Sequence, residues 1–204
     1  YFANVRWVLA LDGNDQFIST ANNDVPIAGN AGNDTFLMGL GADVAIGGKG
    51  SDKLNGEGGN DILNGNLDND LVDGGAGNDT LNGGRGDDLL LGQAGNDLLN
   101  GDAGRDFLTG GFDADVFVLT NNADNLAATA TAADVITDFS IAQADKIQLL
   151  GAGFSDLTFE TINLIVDGGA AVAATAIKLT TGGQYLGVVS GISPFDLANS
   201  SLFV

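Results

Sequence analysis

An aspartate returns every nine residues through the middle of this 204-residue chain. Asp34, Asp43, Asp52, Asp61, Asp70, Asp79, Asp88, Asp97, Asp106 and Asp115 keep that step without a slip. Asp15 and Asp24 keep it too, one residue out of phase. Two residues after each in-phase aspartate stands an apolar side chain: Phe36, Ala45, Leu54, Leu63, Val72, Leu81, Leu90, Leu99, Leu108 and Phe117. One unit reads Gly74-Gly75-Ala76-Gly77-Asn78-Asp79-Thr80-Leu81-Asn82, and another Gly47-Gly48-Lys49-Gly50-Ser51-Asp52-Lys53-Leu54-Asn55. Helix, heptad and hairpin patterns do not repeat at nine, so internal repetition is the constraint on what this chain can fold into.

The unit G-G-x-G-x-D-x-U-x resembles the nonapeptide of RTX (repeats-in-toxin) proteins, a calcium-binding β-helix repeat. The resemblance covers residues 29–118, about half the chain, and implies an all-β fold, the parallel β-roll. Residues 1–28 are then expected to be a lead-in with degenerate repeats, and 119–204 a β-stranded cap with a secretion signal.

Local chemistry supports the same shape. The first six positions of a unit carry up to three glycines, which visit positive φ freely and permit a sharp turn. The last three positions, such as Thr80-Leu81-Asn82, predict a short strand whose middle residue faces one side and its neighbours the other. Two units then make one turn of the roll, with a strand on each of two facing sheets. Five turns at strand spacing give a length of roughly 24 Å.

Such a core is thin. One large apolar side chain per nine residues does not offset a backbone ordering cost of roughly 1–2 kcal/mol per residue. Residues 29–118 also carry 16 acidic and 4 basic side chains. A column of aspartates at strand spacing repels itself, so a cation is expected in the folded state. Calcium fits best, because it accepts six to eight oxygen ligands in flexible geometry, whereas magnesium demands strict octahedra and keeps its waters. Zinc is disfavoured, since the chain has no Cys and no His.

The resemblance also implies a ligand set. Each ion lies between two turns on one edge, eighteen residues apart. The earlier turn gives carbonyls from positions two and four plus its aspartate; the later gives carbonyls from positions one and three plus its own. On one edge this joins Glu57, Gly59 and Asp61 to Gly74, Ala76 and Asp79, then Gly75, Gly77 and Asp79 to Gly92, Ala94 and Asp97. On the other it joins Gly48, Gly50 and Asp52 to Gly65, Leu67 and Asp70. Asn66, Asp68 and Asp70 then face Gly83, Arg85 and Asp88, and Gly84, Gly86 and Asp88 face Gly101, Ala103 and Asp106. Interior aspartates such as Asp79 bridge two ions, whereas Asp34, at the start of the run, touches one. Departures from the pattern are Asn22, Asp68 and Asp113 at position four, Met38 at position one, and Pro26 at the apolar position of the Asp24 unit. Asn and Asp tolerate left-handed backbone better than most residues.

Before the repeats, Asn4 to Leu11 is a β-rich run in which Trp7 is expected to cover an open core end, and Asp12 to Ile18 is a degenerate first repeat. Val44, Ile62, Leu98 and Val116 follow their aspartates and are expected to point outward, as are Leu71, Leu89 and Phe107 on the opposite sheet. Apolar stripes of this kind mark contact surfaces, with another copy, another surface protein or a covering segment of the chain. Asn121 to Ala133 reads as a surface loop. Ala133-Asp134-Val135-Ile136-Thr137-Asp138-Phe139 and Ala144-Asp145-Lys146-Ile147-Gln148-Leu149 resemble the segment after the roll in serralysin-type proteins, which caps it. Asp134, Asp138 and Asp145 are a candidate further calcium cluster. Antiparallel strands are expected at 157–159, 163–166, 176–179 and 185–189, with a hairpin through Thr180 to Gln184. The apolar end Leu202-Phe203-Val204 resembles the uncleaved signal of type I secretion substrates.

Charge and composition exclude several functions. A formal charge of −20 disfavours nucleic acid, whose phosphates need Lys and Arg, and disfavours anionic membrane surfaces. No apolar run approaches the roughly 20 residues of a membrane span. Zero Cys excludes disulfides. With no His and no G-x-S-x-G around Ser190, the chain lacks a catalytic triad and is not expected to be an enzyme. It has no amino-terminal signal peptide and starts at Tyr1, as expected of a processed chain or a piece of a longer one. Two readings follow. One is a calcium-folded structural protein, secreted by the type I machinery to the cell surface or medium. The alternative is the carboxy-terminal calcium module of a secreted enzyme or toxin.

Overall fold

The computed structural model describes residues 8–19, 24, 26–120, 129, 132–165 and 171–204. Trp7, Asn22, Val166 and most of the stretch from Asn121 to Ala133 lie outside the described residues. Among the described residues, fifteen strands wind as a parallel solenoid with two facing sheets. The first sheet stacks β1 (Val8–Leu9), β3 (Pro26–Ala31), β5 (Val44–Lys49), β7 (Ile62–Leu67), β9 (Thr80–Arg85), β11 (Leu98–Ala103), β13 (Val116–Thr120) and β15 (Lys146–Leu150). The second stacks β2 (Gln16–Ile18), β4 (Thr35–Leu37), β6 (Lys53–Asn55), β8 (Leu71–Ala76), β10 (Leu89–Ala94), β12 (Phe107–Phe112) and β14 (Asp134–Ile136). The fold is the expected parallel β-roll.

Register follows the repeat. Leu81 lies beside Leu63 and Leu99, and Leu90 beside Val72 and Leu108, eighteen residues apart in each case. The apolar residue of every unit is therefore stacked on its own kind inside the roll. Phe36, Leu54, Leu63, Val72, Leu81, Leu90, Leu99, Leu108 and Phe117 are all at most 1 % exposed.

Most strands are longer than the three residues expected. Thr80–Arg85 is typical: pairing resumes at the second glycine of the pair, with Asp102 beside Gly84 and Ala103 beside Arg85. Glycine weakens a strand but does not forbid it. The true turn is confined to positions four to six. Of the seven outward apolar residues, Ile62 and Leu89 are exposed, while Val44, Leu71, Leu98, Phe107 and Val116 are half-buried. Stacking within the row covers part of each, as in Leu71–Leu89–Phe107.

The amino-terminal turn carries a one-residue insertion. Val8 pairs with Ile27 and Gln16 with Thr35, nineteen apart, whereas Pro26 pairs with Val44 at eighteen. Ile27 therefore fills the core slot and Pro26 the outward one beside it, not the apolar position the Asp24 unit suggested.

At the other end the roll runs into an antiparallel sheet. β14 pairs in parallel with β18 (Tyr185–Ser190), which pairs antiparallel with β17 (Val172–Leu179), which in turn pairs with β16 (Leu157–Leu164). Two of the expected strands merge into the single β16. Ser193 caps α1 (Pro194–Leu197), where Pro194 suits the first helical turn.

Candidate metal centres along the roll edges

Each edge of the roll carries a row of buried aspartates tied by one repeating bond. The N–H of one aspartate donates to Oδ1 of the aspartate one turn later. On the first edge Asp34 donates to Asp52, Asp52 to Asp70, Asp70 to Asp88 and Asp88 to Asp106, at 2.7–2.8 Å. On the second Asp43 donates to Asp61, Asp61 to Asp79, Asp79 to Asp97 and Asp97 to Asp115, at 2.7–3.0 Å. The bond explains why the aspartate is needed at a fixed step: it satisfies a buried backbone donor that no strand partner reaches.

The second oxygen is the unusual one. Oδ2 is buried and accepts no hydrogen bond at Asp15, Asp34, Asp52, Asp61, Asp70, Asp79, Asp88, Asp97, Asp106 and Asp115. A buried carboxylate oxygen without a partner is costly, and repetition at every turn rules out accident. Position one of each unit explains how the chain makes room. A Cβ on Gly92 would overlap Asp97 Oδ2 and the carbonyl oxygen of Gly110 one turn later. Gly29 stands likewise between Asp34 Oδ2 and Gly47 O, and Gly56 between Asp61 Oδ2 and Gly74 O. Carboxylate and carbonyl oxygens from successive turns therefore converge beside a glycine that leaves the space open.

Positions two and four supply further carbonyls. Gly77, at φ 138°, lies directly over the carbonyl of Gly59, and Gly75 over that of Glu57. Left-handed backbone persists where glycine is replaced: at Asn30, Glu57, Asn66, Gln93 and Asp102 in position two, and at Asp68 and Asp113 in position four. Among the described residues no three Asp, Glu, His or Cys side chains gather as one cluster. Each interval instead offers aspartates from two turns and surrounding carbonyls, an all-oxygen donor set that suits a hard cation such as Ca²⁺.

Electrostatics agree. Burial, the largest cause, raises the carboxyls of Asp52, Asp88 and Asp97 to about 6 and those of Asp61, Asp70, Asp106 and Asp115 to about 7. The backbone N–H bonds oppose that rise, and repulsion from neighbouring aspartates adds to it. Without a counter-ion the rows are therefore unfavourable as charges.

The residue before the aspartate has a role that the sequence reading missed. Its side chain accepts from the backbone one turn later: Asn60 Oδ1 from Asn78 N–H, Asn78 from Asn96 and Asn96 from Ala114, at 2.8–3.0 Å. On the other edge Asn69 accepts from Asp87 and Asp87 from Arg105. The recurring Asn-Asp dipeptide is the signal that could have found this second row.

That row decides between the two out-of-phase aspartates. Asp24 accepts from Ala42 N–H, so it occupies the asparagine slot. Asp15 donates its N–H to Asp34 Oδ1 and stands in the aspartate row, because the inserted residue restores its phase. Asp34, expected at the end of its row, is therefore interior. Met38 replaces the position-one glycine and is fully buried, its side chain in the core.

The candidate cluster after the roll is divided. Asp134 accepts from Asp106 N–H on one edge, and Asp145 from Asp115 N–H on the other, so the three carboxylates do not meet in one site. Asp138 takes the N–H groups of Gly110 and Gly111, and Asp145 Oδ2 takes that of Ser140. Backbone donors here satisfy oxygens that stay open inside the roll.

The RTX calcium-binding nonapeptide repeat, in four-copy form, matches residues 9–45, 38–72, 65–99, 82–117 and 91–126, more than half of the chain. The chain belongs to the RTX calcium-binding repeat family. No curated protein matches it. Among solved structures, the AlgE6R3 subunit of the Azotobacter vinelandii mannuronan C5-epimerase is 30 % identical, over 68 % of this chain and 78 % of that one, with a TM-score of 0.45. Among the described residues of this RTX chain no helix is long and apolar enough to cross a membrane.

The two rows give unequal weight to two similar residues. Asp79→Ala removes the acceptor of a buried N–H, at about 1–3 kcal/mol, and a carboxylate of the open pocket besides. Asp24→Ala removes an exposed bond and is expected to cost under about 1 kcal/mol. Thermal unfolding in excess calcium should show a drop for the first several times that for the second. Equal drops would mean that the aspartate row has no special burden.

Proposed function

We propose that this RTX chain is a multi-site calcium-binding module of a secreted or cell-surface structural protein. It folds as calcium binds after export by the type I machinery, and its outer faces then serve assembly at the surface. The observation that carries the calcium reading is the repeated orphan Oδ2, facing a carbonyl of the next turn across a glycine. Between turns, Asp79 with Gly74 and Ala76, and Asp97 with Gly92 and Ala94, are among the residues that would hold the ions. Calcium there would neutralise the aspartates and bind together turns that the thin core holds weakly. Binding free energy is then folding free energy, because the sites do not exist in the unfolded chain.

Equilibrium dialysis against calcium tests this directly. Several ions per chain are expected, and none bound at millimolar calcium would end the reading. Export has its own test, in cells carrying a type I exporter. The full chain is expected in the medium and a chain ending at Ile192 in the cell pellet; the reverse, or no difference, would refute the export step. For assembly, exposed Ile62 and Leu89 favour self-contact on the outer faces. The second reading, a calcium module beside a catalytic domain, is favoured by the half-burial of Val44, Leu71, Leu98, Phe107 and Val116, which leaves little outer apolar surface for self-contact. Sedimentation in calcium separates the two: self-association supports the first, and a strict monomer the second.

A further inference from the structure

We propose that β16 is a dimerisation edge, onto which a second copy of this chain adds its own β16, antiparallel, across a two-fold axis at Thr161. Among the described residues the two sheets have four outer edges, at β1, β15, β2 and β16. β1 and β2 offer only two and three residues. The edge of β15 is closed by the end of the chain: Phe203 pairs in parallel with Ile147, and Val204 N–H donates to Ile147 O at 3.0 Å. Of the four, β16 alone is both long and open. Its eight residues pair with β17 in unbroken register, from Leu157 beside Leu179 to Leu164 beside Val172. Thr180 N–H donates to Asp156 O, which fixes the phase of that ladder. Even-numbered residues of β16 face β17, and odd-numbered ones turn their backbone groups away. Leu157 N–H is taken by Phe154 O. The backbone N–H and C=O groups of Phe159, Thr161 and Asn163 have no partner among the described residues.

Proteins commonly blunt such an edge with Pro, Lys or a bulge. β16 carries none of these. Its one charged side chain is Glu160, whose Oε1 accepts from Tyr185 O–H at 2.5 Å and whose Oε2 lies 3.8 Å from Lys178 Nζ. The edge is therefore locally neutral on a chain of formal charge −20, and copies that repel elsewhere can approach here. The ring of Phe159 is held 6.0 Å from those of Phe154 and Phe203, which fixes the strand in place. Self-complementarity is what selects a second copy. Centred on Thr161, the pairing overlaps the whole strand. It sets Thr161 beside the partner's Thr161, Phe159 beside the partner's Asn163 and Glu160 beside the partner's Ile162. The outward groups then close roughly six backbone hydrogen bonds. Half-buried Phe159 and Ile162 gain cover on opposite faces of the joined sheet. Centring on Glu160 would instead set two carboxylates directly opposite, which is unfavourable. A two-fold contact of this kind closes at a dimer. It is separate from self-contact on the outer faces, which uses Ile62 and Leu89.

Sedimentation of the full chain in calcium, over a range of protein concentrations, is the first test, and a monomer–dimer equilibrium is expected. Thr161→Pro removes an N–H that β17 does not use, so the sheet is kept while the dimer dissociation constant rises at least about tenfold. Ile62→Ser should leave that constant unchanged. Register is read by oxidation, since the chain has no cysteine of its own. Facing residues of a hydrogen-bonded antiparallel pair lie about 5.5 Å apart at Cα, within disulfide reach. Thr161→Cys should therefore form a disulfide-linked dimer at least about tenfold faster than Thr158→Cys, whose partner cysteine lies strands' length away rather than opposite. A strict monomer for the unmodified chain, in a sample that dialysis shows to bind calcium, would overturn the inference and leave the calcium reading standing. Self-association that survives Thr161→Pro but is lost in Ile62→Ser would overturn it in favour of the outer faces. Equal oxidation of the two cysteine variants would overturn the register and with it the two-fold axis at Thr161. Because the first measurement needs no variant, and Thr161→Cys keeps the backbone N–H, a Thr161→Pro chain that fails to fold does not shield the inference.

Discussion

In excess chelator at pH 7.5 the purified chain will lose its β-sheet circular dichroism signal and become sensitive to protease throughout, and adding calcium will restore both. The expectation rests on three features of the roll taken together. Its inner column is one side chain deep, from Phe36 to Phe117. Its edges bury aspartates whose Oδ2 atoms have no donor. Its turns are held in left-handed backbone, at Glu57, Asn66, Asp68 and Gln93 as well as at glycine. Each feature opposes folding, and only the first is partly offset by hydrophobic contact. A ligand that binds the native state alone stabilises it by mass action, and many equivalent sites make the response steep. The transition should therefore be sharp in calcium concentration. A protease-resistant, β-rich chain in chelator, indifferent to added calcium, would sink this account.

At pH 5.5 the calcium concentration that half-fills the sites of the roll will be at least about tenfold higher than at pH 7.5. Burial raises the row carboxyls to about 6 at Asp52, Asp88 and Asp97, and to about 7 at Asp61, Asp70, Asp106 and Asp115. In the calcium-free roll these values lie above the unfolded one of 3.8. The folded state thus holds the extra protons. The stability they lend it is fully present below the unfolded value and is lost as pH rises through 6 to 7. Calcium needs the charged form, so each such group must release its proton before it can act as a ligand. One pH unit below a group's value costs about 1.4 kcal/mol for that release, or a factor of ten. Acid therefore favours the calcium-free roll and opposes calcium, and alkali does the reverse. Calcium binding measured by equilibrium dialysis at the two pH values decides it. An unmoved midpoint would mean that these carboxylates are not the ligands.

Much of this architecture is legible in the residues because two signals share one period. The aspartate at position six and the apolar residue two places on fix which side chain enters the core and which stands at the edge. Leu81 and Asp79 are so placed by spacing alone, and the structure puts both where that spacing implies. Phase is harder to read. Asp15 and Asp24 look equivalent in the sequence, yet one inserted residue moves Asp15 into the carboxylate row and leaves Asp24 in the asparagine row. Only pairing to the next turn reveals the insertion. Asp134 and Asp145 sit close in sequence but on opposite edges, because half a turn of the roll separates them. The extent of the strands was hidden for another reason: a glycine pair reads as a break, and yet Gly84 still pairs with Asp102 and Asn66.

The bond between successive aspartates points one way. Each buried N–H waits for a carboxylate that belongs to the turn after it, as Asp61 waits for Asp79 and Asp79 for Asp97. The opposite row, from asparagine to the following turn, is exposed, so water can replace a missing member. Shortening the roll from its two ends is therefore not equivalent. Loss of leading turns leaves every remaining aspartate N–H of the row served, whereas loss of a trailing turn strands the one before it. The solenoid has a front and a back: its aspartate rows can end bare on the amino side, but on the other side they need a closing carboxylate, which Asp134 and Asp145 provide.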